Sequence, residues 1–265
     1  MSEDALDGVA DREELQEFER RHPAFRAALT RLQDALQLTL VRSATPVPDK
    51  PQALQTVVFF LAHQAADDFF DIVLLAAHGY GFGALKLLRP LYERVVTTMY
   101  LIAHPDEVQD FNDFADVHAW RLINHARTLG VDISQSASEQ QIADIKAAYE
   151  RVKDRFARRS SWTKKDLKTL ADDVGLGQLY ASVAFWPTVQ LHTTRVAIEA
   201  RLTVSAGALL FAHGPHRDEA DHALRHAHDL IVYLLHKTNE FFHWGLDTAD
   251  VAADVQRCWG SGGAS

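Results

Sequence analysis

Gln52–Ala103 reads QALQTVVFFLAHQAADDFFDIVLLAAHGYGFGALKLLRPLYERVVTTMYLIA, and its periodicity decides the fold. Leu54, Val57, Val58, Leu61, Ala65, Phe69, Ile72 and Val73 recur every three or four residues, the repeat of one helix face. This spacing predicts a helix over Gln52–Ala77, which Gly79-Tyr80-Gly81 then breaks. A second helix over Phe82–Ala103 places Leu85, Leu88, Tyr92, Val95, Met99 and Ile102 on one stripe.

Helical periodicity extends in both directions. Upstream, a helix is expected over Asp11–Arg21, and His22-Pro23 opens another to about Val41. SATPVPDKP, Ser43–Pro51, is a linker rich in turn residues. Downstream, Pro105 opens a helix to about Leu129, capped by Gly130, and SQSAS at Ser134–Ser138 is a loop. A basic helix is expected over Glu139–Arg159, short ones near Lys165–Val174 and from about Gly177, and a last long one over His216–Trp244. Val196, Ile198, Ala200, Leu202 and Val204 alternate with Glu199, Arg201 and Thr203. That period of two fits a strand turning through Ser205-Ala206-Gly207 into a second one ending at Phe211, and an amphipathic helix would absorb the same residues. The expected fold is all-α: a single helical bundle with room for one small β-hairpin near 196–212. N-terminal helices and linker occupy 1–50, the helical core 51–245, and a C-terminal extension with a flexible GSGGAS tail 246–265.

Composition agrees. Over 265 residues, 47% hydrophobic and 24% charged exclude disorder, collagen and a coiled-coil rod. Cys258 is the sole cysteine, which excludes a disulfide scaffold and a Cys-rich zinc site. No uncharged apolar run reaches the roughly 18 residues that would mark a membrane span. The acidic N-terminus, MSEDALDGVADREELQEFE, is unlike a signal peptide, so a cytoplasmic protein without membrane contact is expected.

The formal net charge of -9 argues against a nucleic-acid binder held by bulk electrostatics. Lys146–Lys168 runs the other way. It carries Lys146, Arg151, Lys153, Arg155, Arg158, Arg159, Lys164, Lys165 and Lys168, interleaved with Tyr149, Phe156 and Trp162. Such a stretch is either a solvated helix face and basic loop, or a strip that holds phosphates and stacks bases. On the second reading Lys153, Arg155, Arg158, Arg159, Trp162, Lys164 and Lys165 bind RNA or another anionic ligand.

Four further constellations carry chemistry. Arg89 and Glu93 lie four apart on a face that borders the stripe of the second helix, so the pair should be partly buried. They serve as an intrahelical ion pair or as a guanidinium aimed at phosphate or carboxylate. Pro90 between them removes a backbone donor, and so kinks the helix or marks its start. His118 and His125 fall on the stripe of Phe111, Phe114, Leu122 and Leu129, which would face them to the core. His222, His226 and Asp229 have a spacing that could seat a metal, but without HExxH an amphipathic face is the simpler reading. No cofactor or metal is expected. Finally, Arg217-Asp218-Glu219-Ala220-Asp221-His222 forms R-D-x-x-x-H.

From about Val57 to Phe242 the chain resembles a mainly bacterial family, domain of unknown function 5677. Three pieces carry the likeness: LLRPLYE at Leu87–Glu93, Trp162 followed by DDVGLGQLY at Asp172–Tyr180, and TVQLH at Thr188–His192. The resemblance implies a helical fold and a polar site built from Arg89, Glu93, Tyr180, Thr188 and His192. Separately, R-D-x-x-x-H resembles the motif of HEPN ribonucleases (higher eukaryote and prokaryote nucleotide-binding). There the Arg holds the scissile phosphate and the His moves a proton, so that RNA is cleaved without a metal. Two readings follow. One is a HEPN-like effector of bacterial defence or toxin type, a candidate metal-independent ribonuclease using Arg89 with His192, or Arg217 with His222. The other is a non-catalytic interaction or sensor module in which Arg89, Glu93 and His192 form a buried polar lock. Either fits a homo-oligomer or a protein partner.

Overall fold

The computed structural model describes residues 12–42, 46–192, 194–205, 208–211 and 214–259. The expected tail at 260–265, the turn at 206–207 and the linker residues 43–45 lie outside them. The fold is all-α, built on three long helices. Helix α3 (Gln52–Ala77) folds back on α4 (Gly81–Ala103) through the Gly-Tyr-Gly turn, and α10 (Arg217–Phe242) packs across both. Phe69 and Ile72 from α3, Leu88, Tyr92 and Val95 from α4, and Leu224 and Leu230 from α10 form the centre of the core. Those from α3 and α4 are residues of the predicted stripes.

The other elements dress this trio. Helices α1 (Arg12–Arg21) and α2 (Phe25–Arg42) add Phe18, Phe25 and Leu32 to the same core. The single helix expected after Pro105 divides into a 3-10 turn, Pro105–Glu107, and α5 (Val108–Thr128). Helix α6 (Glu139–Val152) pairs with α5 and starts at a capping box between Ser138 and Gln141. Beyond α6 the chain is irregular to α7 (Leu167–Asp173). A 3-10 turn (Gly177–Leu179), a π-helix (Ala181–Phe185) and α8 (Trp186–Leu191) then run along α4. Tyr92 donates its hydroxyl to Leu176 O at 2.9 Å, which pins this return segment, and burial pushes the phenol up to about 12.

Several expectations are corrected. The basic helix ends at Val152, not Arg159. The period-two segment begins as a short helix, α9 (Arg195–Glu199), whose Val196 and Ile198 are about half exposed. The strands are β1 (Leu202–Ser205) and β2 (Ala208–Phe211), an antiparallel pair with Leu202 opposite Phe211. His118 and His125 are exposed, because α5 buries Val108, Phe114, Val117 and Ile123 and leaves Leu122 and Leu129 in solvent. Pro90 neither starts nor ends α4, which runs through it. The C-terminal extension contains a helix, α11 (Thr248–Trp259), docked through Val251, Val255, Cys258 and Trp259.

The α3–α4 turn meets the start of α10 at backbone distance. His216 N donates to Gly79 O at 2.8 Å, and a Cβ on Gly81 would stand 2.2 Å from His216 O and 2.6 Å from Ala220 N. Gly81→Ala forces these backbones apart, with an expected loss of about 1–3 kcal/mol in urea denaturation. Gly83→Ala is the control: its Cβ would meet only side-chain atoms at ordinary contact distance, Leu75 Cδ1 at 3.5 Å and Leu75 Cδ2 and Tyr80 Cβ at 3.7 Å, so this helical site is expected to hold or gain stability.

His228 on α10 is fully buried among Phe25, Phe69 and Trp259. Trp259 Nε1 donates to its Nδ1 at 3.2 Å, so the ring proton sits on Nε2. Burial pushes this imidazole down to about 4 from its ordinary 6.5. Between those values the unfolded chain takes up a proton that the fold refuses, so this contribution is complete above pH 6.5 and declines as pH falls toward 4. Urea titrations across that window should lose about 1.4 kcal/mol per pH unit from this group. His228→Gln, which offers Trp259 an acceptor but cannot protonate, is expected to remove that slope.

Candidate functional site

Arg89, Glu93 and Thr97 stand at successive turns of α4, on the side facing the irregular segment between α6 and α7. Together with Ser160, Ser161, Trp162, Thr163, Lys164, Lys165 and Asp166 they line a cleft of about 330 Å³. Two groups of residues singled out separately in the sequence thus share one wall: Arg89 and Glu93 from α4, and Trp162, Lys164 and Lys165 from the basic stretch.

Arg89 and Glu93 form no ion pair. Glu93 is exposed, while half-buried Arg89 donates from Nη1 to Thr188 Oγ1 at 2.6 Å. Thr188 in turn donates to Ala184 O at 2.6 Å. That carbonyl belongs to the π-helix Ala181–Phe185, a wound-out turn of the kind that occurs at functional sites. Pro187, lacking an N–H, sits in the first turn of α8, where no donor is needed. The guanidinium is therefore oriented by a hydroxyl and has no carboxylate to neutralise it among the described residues.

The basic stretch is less free than its composition indicates. Its aromatics turn inward: Phe156 is fully buried, Trp162 packs on Tyr100 and Phe111, and Tyr149 stacks on Trp120 at 5.9 Å. Phe156 is closed to any base, and Trp162, nearly buried, anchors the cleft-lining loop. Arg155 pairs with Asp110 and Asp113, and Lys153 with Glu150. Arg159 lies over the Phe156 ring. Lys165 donates to the Tyr100 hydroxyl at 2.7 Å and to Asp173 at 3.0 Å, and both contacts push its ammonium pKa up. Arg158 and Lys164 have no such partner among the described residues, and both are exposed.

The remaining candidates lie outside the cleft lining. His192 is exposed at the end of α8, one turn beyond Thr188, and its ring makes no hydrogen bond among the described residues. Tyr180 is half-buried against the core where the π-helix begins. Arg217 holds Glu14 of α1 with two hydrogen bonds, at 2.9 and 2.6 Å. Asp221 accepts from Arg21 and His22, which hold its carboxyl low against the upward push of burial. His222 faces Ser182 O at 3.4 Å and the His226 ring at 4.6 Å. The polar start of α10 thus clasps the N-terminal helix. Burial, with His222 and Arg225 adding to it, pushes His226 down to about 4. No group of three or more His, Cys, Asp or Glu converges for a metal among the described residues.

Sequence reasoning missed Ser160, Ser161, Thr163 and Thr97. Their signal was present: hydroxyls flank Trp162 directly, and Thr97 continues the four-residue spacing of Arg89 and Glu93.

The model of the Family of unknown function (DUF5677) matches residues 55–209, more than half of the chain, and the chain belongs to that family. No curated protein and no solved structure matches it. The matched span includes Arg89, the Ser160–Asp166 loop and Thr188, hence most of the cleft wall, and it stops short of R-D-x-x-x-H. No helix among the described residues is long and apolar enough to cross a membrane.

Proposed function

We propose that the protein binds an anionic ligand, phosphate- or carboxylate-bearing, in the cleft between α4 and the Ser160–Asp166 loop. The observation that carries this reading is Arg89: a half-buried guanidinium held in place by Thr188 and unpaired with any carboxylate. An Arg so placed keeps donors free for an oxyanion. Ser160, Ser161 and Thr163 offer hydroxyls to the remaining oxygens, and Lys164 adds charge at the rim. Glu93 and Asp166 temper the site, so a ligand that also presents hydroxyl or amine donors fits better than a bare polyanion. This favours a binding or sensing module over an enzyme. No histidine lines the cleft to move a proton.

A second reading places the same cleft in a HEPN-like effector ribonuclease of bacterial defence or toxin type, acting on RNA in the cytoplasm. The observation in its favour is that Arg158 and Lys164, on the loop beside Arg89, are free to meet a phosphate backbone. His192, one turn beyond Thr188, is then the proton-transfer group. Exposed Phe185, Leu191 and Val196 around it are where a second copy would pack.

Arg89→Gln keeps a donor for Thr188 but removes the charge. Titration with inorganic phosphate and with a 5′-phosphorylated single-stranded RNA is expected to show affinity reduced about tenfold or more, as for loss of a hydrogen bond to a charged group. Lys164→Ala should weaken binding less, and mainly at low salt. Failure of both probes to bind the parent protein, or equal binding by Arg89→Gln, sinks the proposal. RNA shortened by the parent protein but not by His192→Ala, or not by Arg217→Ala and His222→Ala, transfers support to the ribonuclease reading.

A further inference from the structure

On another part of the molecule, α2, α3 and α10 enclose a cavity of about 230 Å³ that shares no residue with the cleft. Leu36, Ala66, Phe70, Ile231, Leu235 and Trp244 make most of its surface apolar. Its size falls below the roughly 300–1,000 Å³ of pockets for drug-sized ligands, so its occupant is small.

Four polar side chains on the wall, Thr39, His63, Asp67 and Thr238, present acceptors. Thr39 spends its hydroxyl proton on Leu36 O at 2.6 Å, and Thr238 spends its own on Leu234 O at 2.8 Å, so both oxygens are left as acceptors. His63 Nδ1 lies 2.8 Å from Phe59 O and must donate to it, which leaves Nε2 as a lone pair. That Nε2 is shielded from solvent and has no partner among the described residues, a condition that calls for an explanation. Asp67, one turn after His63, brings a carboxylate with no ion-pair partner within 4.0 Å among the described residues. No lysine or arginine lines the cavity. Against these acceptors stand, as donors, the Trp244 indole and the rim amides of Gln33 and Gln37.

We infer that this cavity is a binding site for a small organic cation, a primary ammonium on a short apolar body, with Asp67 and His63 taking its N–H donors. An ammonium brings three donors and a positive charge to a wall of acceptors and one carboxylate. A carboxylate ligand would be repelled by Asp67. A purely apolar one would strip water from Asp67 without replacing its hydrogen bonds. Phe70 and Trp244 add ring surface of the kind that favours organic cations.

The test titrates the full chain with phenethylammonium, 2-phenylethanol and 3-phenylpropanoate, which share a phenyl body and differ in head group. Calorimetry is expected to show saturable binding of the ammonium at millimolar concentration or better, weaker binding of the alcohol and none of the carboxylate. Asp67 is exposed, so Asp67→Asn should fold and lose about tenfold or more in ammonium affinity. Ala62→Leu, which fills the cavity from the half-buried side of α3, should abolish binding. Absence of saturable binding, equal affinities for the three head groups, or indifference to Asp67→Asn overturns the inference. Self-association of the chain that Ala62→Leu abolishes would give the cavity to a second copy and overturn it too.

Discussion

The close approach of Gly81 to the first turn of α10 is the constraint on which the rest of the molecule depends. Two helix starts meet there with no side chain between them, and the His216 N to Gly79 O hydrogen bond locks the contact. Because both partners are backbone, the contact sets where α4 sits along α10 with little tolerance. Everything carried by α4 inherits that placement. Arg89 lies a little over two turns beyond Gly81, so its position over the cleft is fixed before any side chain of the cleft itself contributes. The polar start of α10 then serves a second purpose, since Arg217 and Asp221 draw α1 onto the same junction.

Around this rigid frame the cleft is assembled from irregular pieces. The π-helix at Ala181–Phe185 lets Thr188 accept from Arg89 while bonding Ala184 O. The loop opposite has no regular hydrogen-bonding pattern to hold it and relies on Trp162 buried against Tyr100 and Phe111. Lys165 ties its far end to Tyr100, whose hydroxyl goes on to donate to Glu107 at 2.6 Å. A half-buried cation oriented by neutral groups, beside a loop pinned by an aromatic anchor, is a preorganised arrangement. On the proposed reading, such an arrangement leaves little ordering to be done on binding.

The long helices were legible because burial acts directly on their period: α3 and α10 expose one face and hide the other for about seven turns, and α4 is buried on nearly all sides between them. Where burial is weak, period misleads. Val196 and Ile198 alternate with polar neighbours on a short exposed helix, so their period of two reflects no buried face. On α5 the apolar residues Leu122 and Leu129 are exposed, and a stripe counted through them turned His118 and His125 inward when both point out. Helix α11 carried its signal in Val251, Val255, Cys258 and Trp259 at helical spacing, within the C-terminal extension for which no element was expected. For the site, residue types were legible and their meeting was not. Arg89 and the Ser160–Asp166 loop are some seventy residues apart, and only the tertiary fold brings them together.

The partitioning of charge gives the cleft its meaning. In the basic stretch, Lys153, Arg155, Lys165 and Lys168 are each answered by a neighbouring carboxylate, as is expected for a protein whose formal net charge is -9. Paired in that way, they tie neighbouring turns and elements of the fold together. Lys146, Arg151, Arg158, Arg159 and Lys164 in the stretch, and Arg89 on α4, have no carboxylate partner within 4.0 Å among the described residues, and of these Arg89 and Lys164 line the cleft. In a chain with so many carboxylates, a half-buried guanidinium kept away from all of them costs stability that an ion pair would have supplied. A fold that holds Arg89 on a threonine, one turn from a glutamate it does not touch, keeps its charge available to something that arrives from solution.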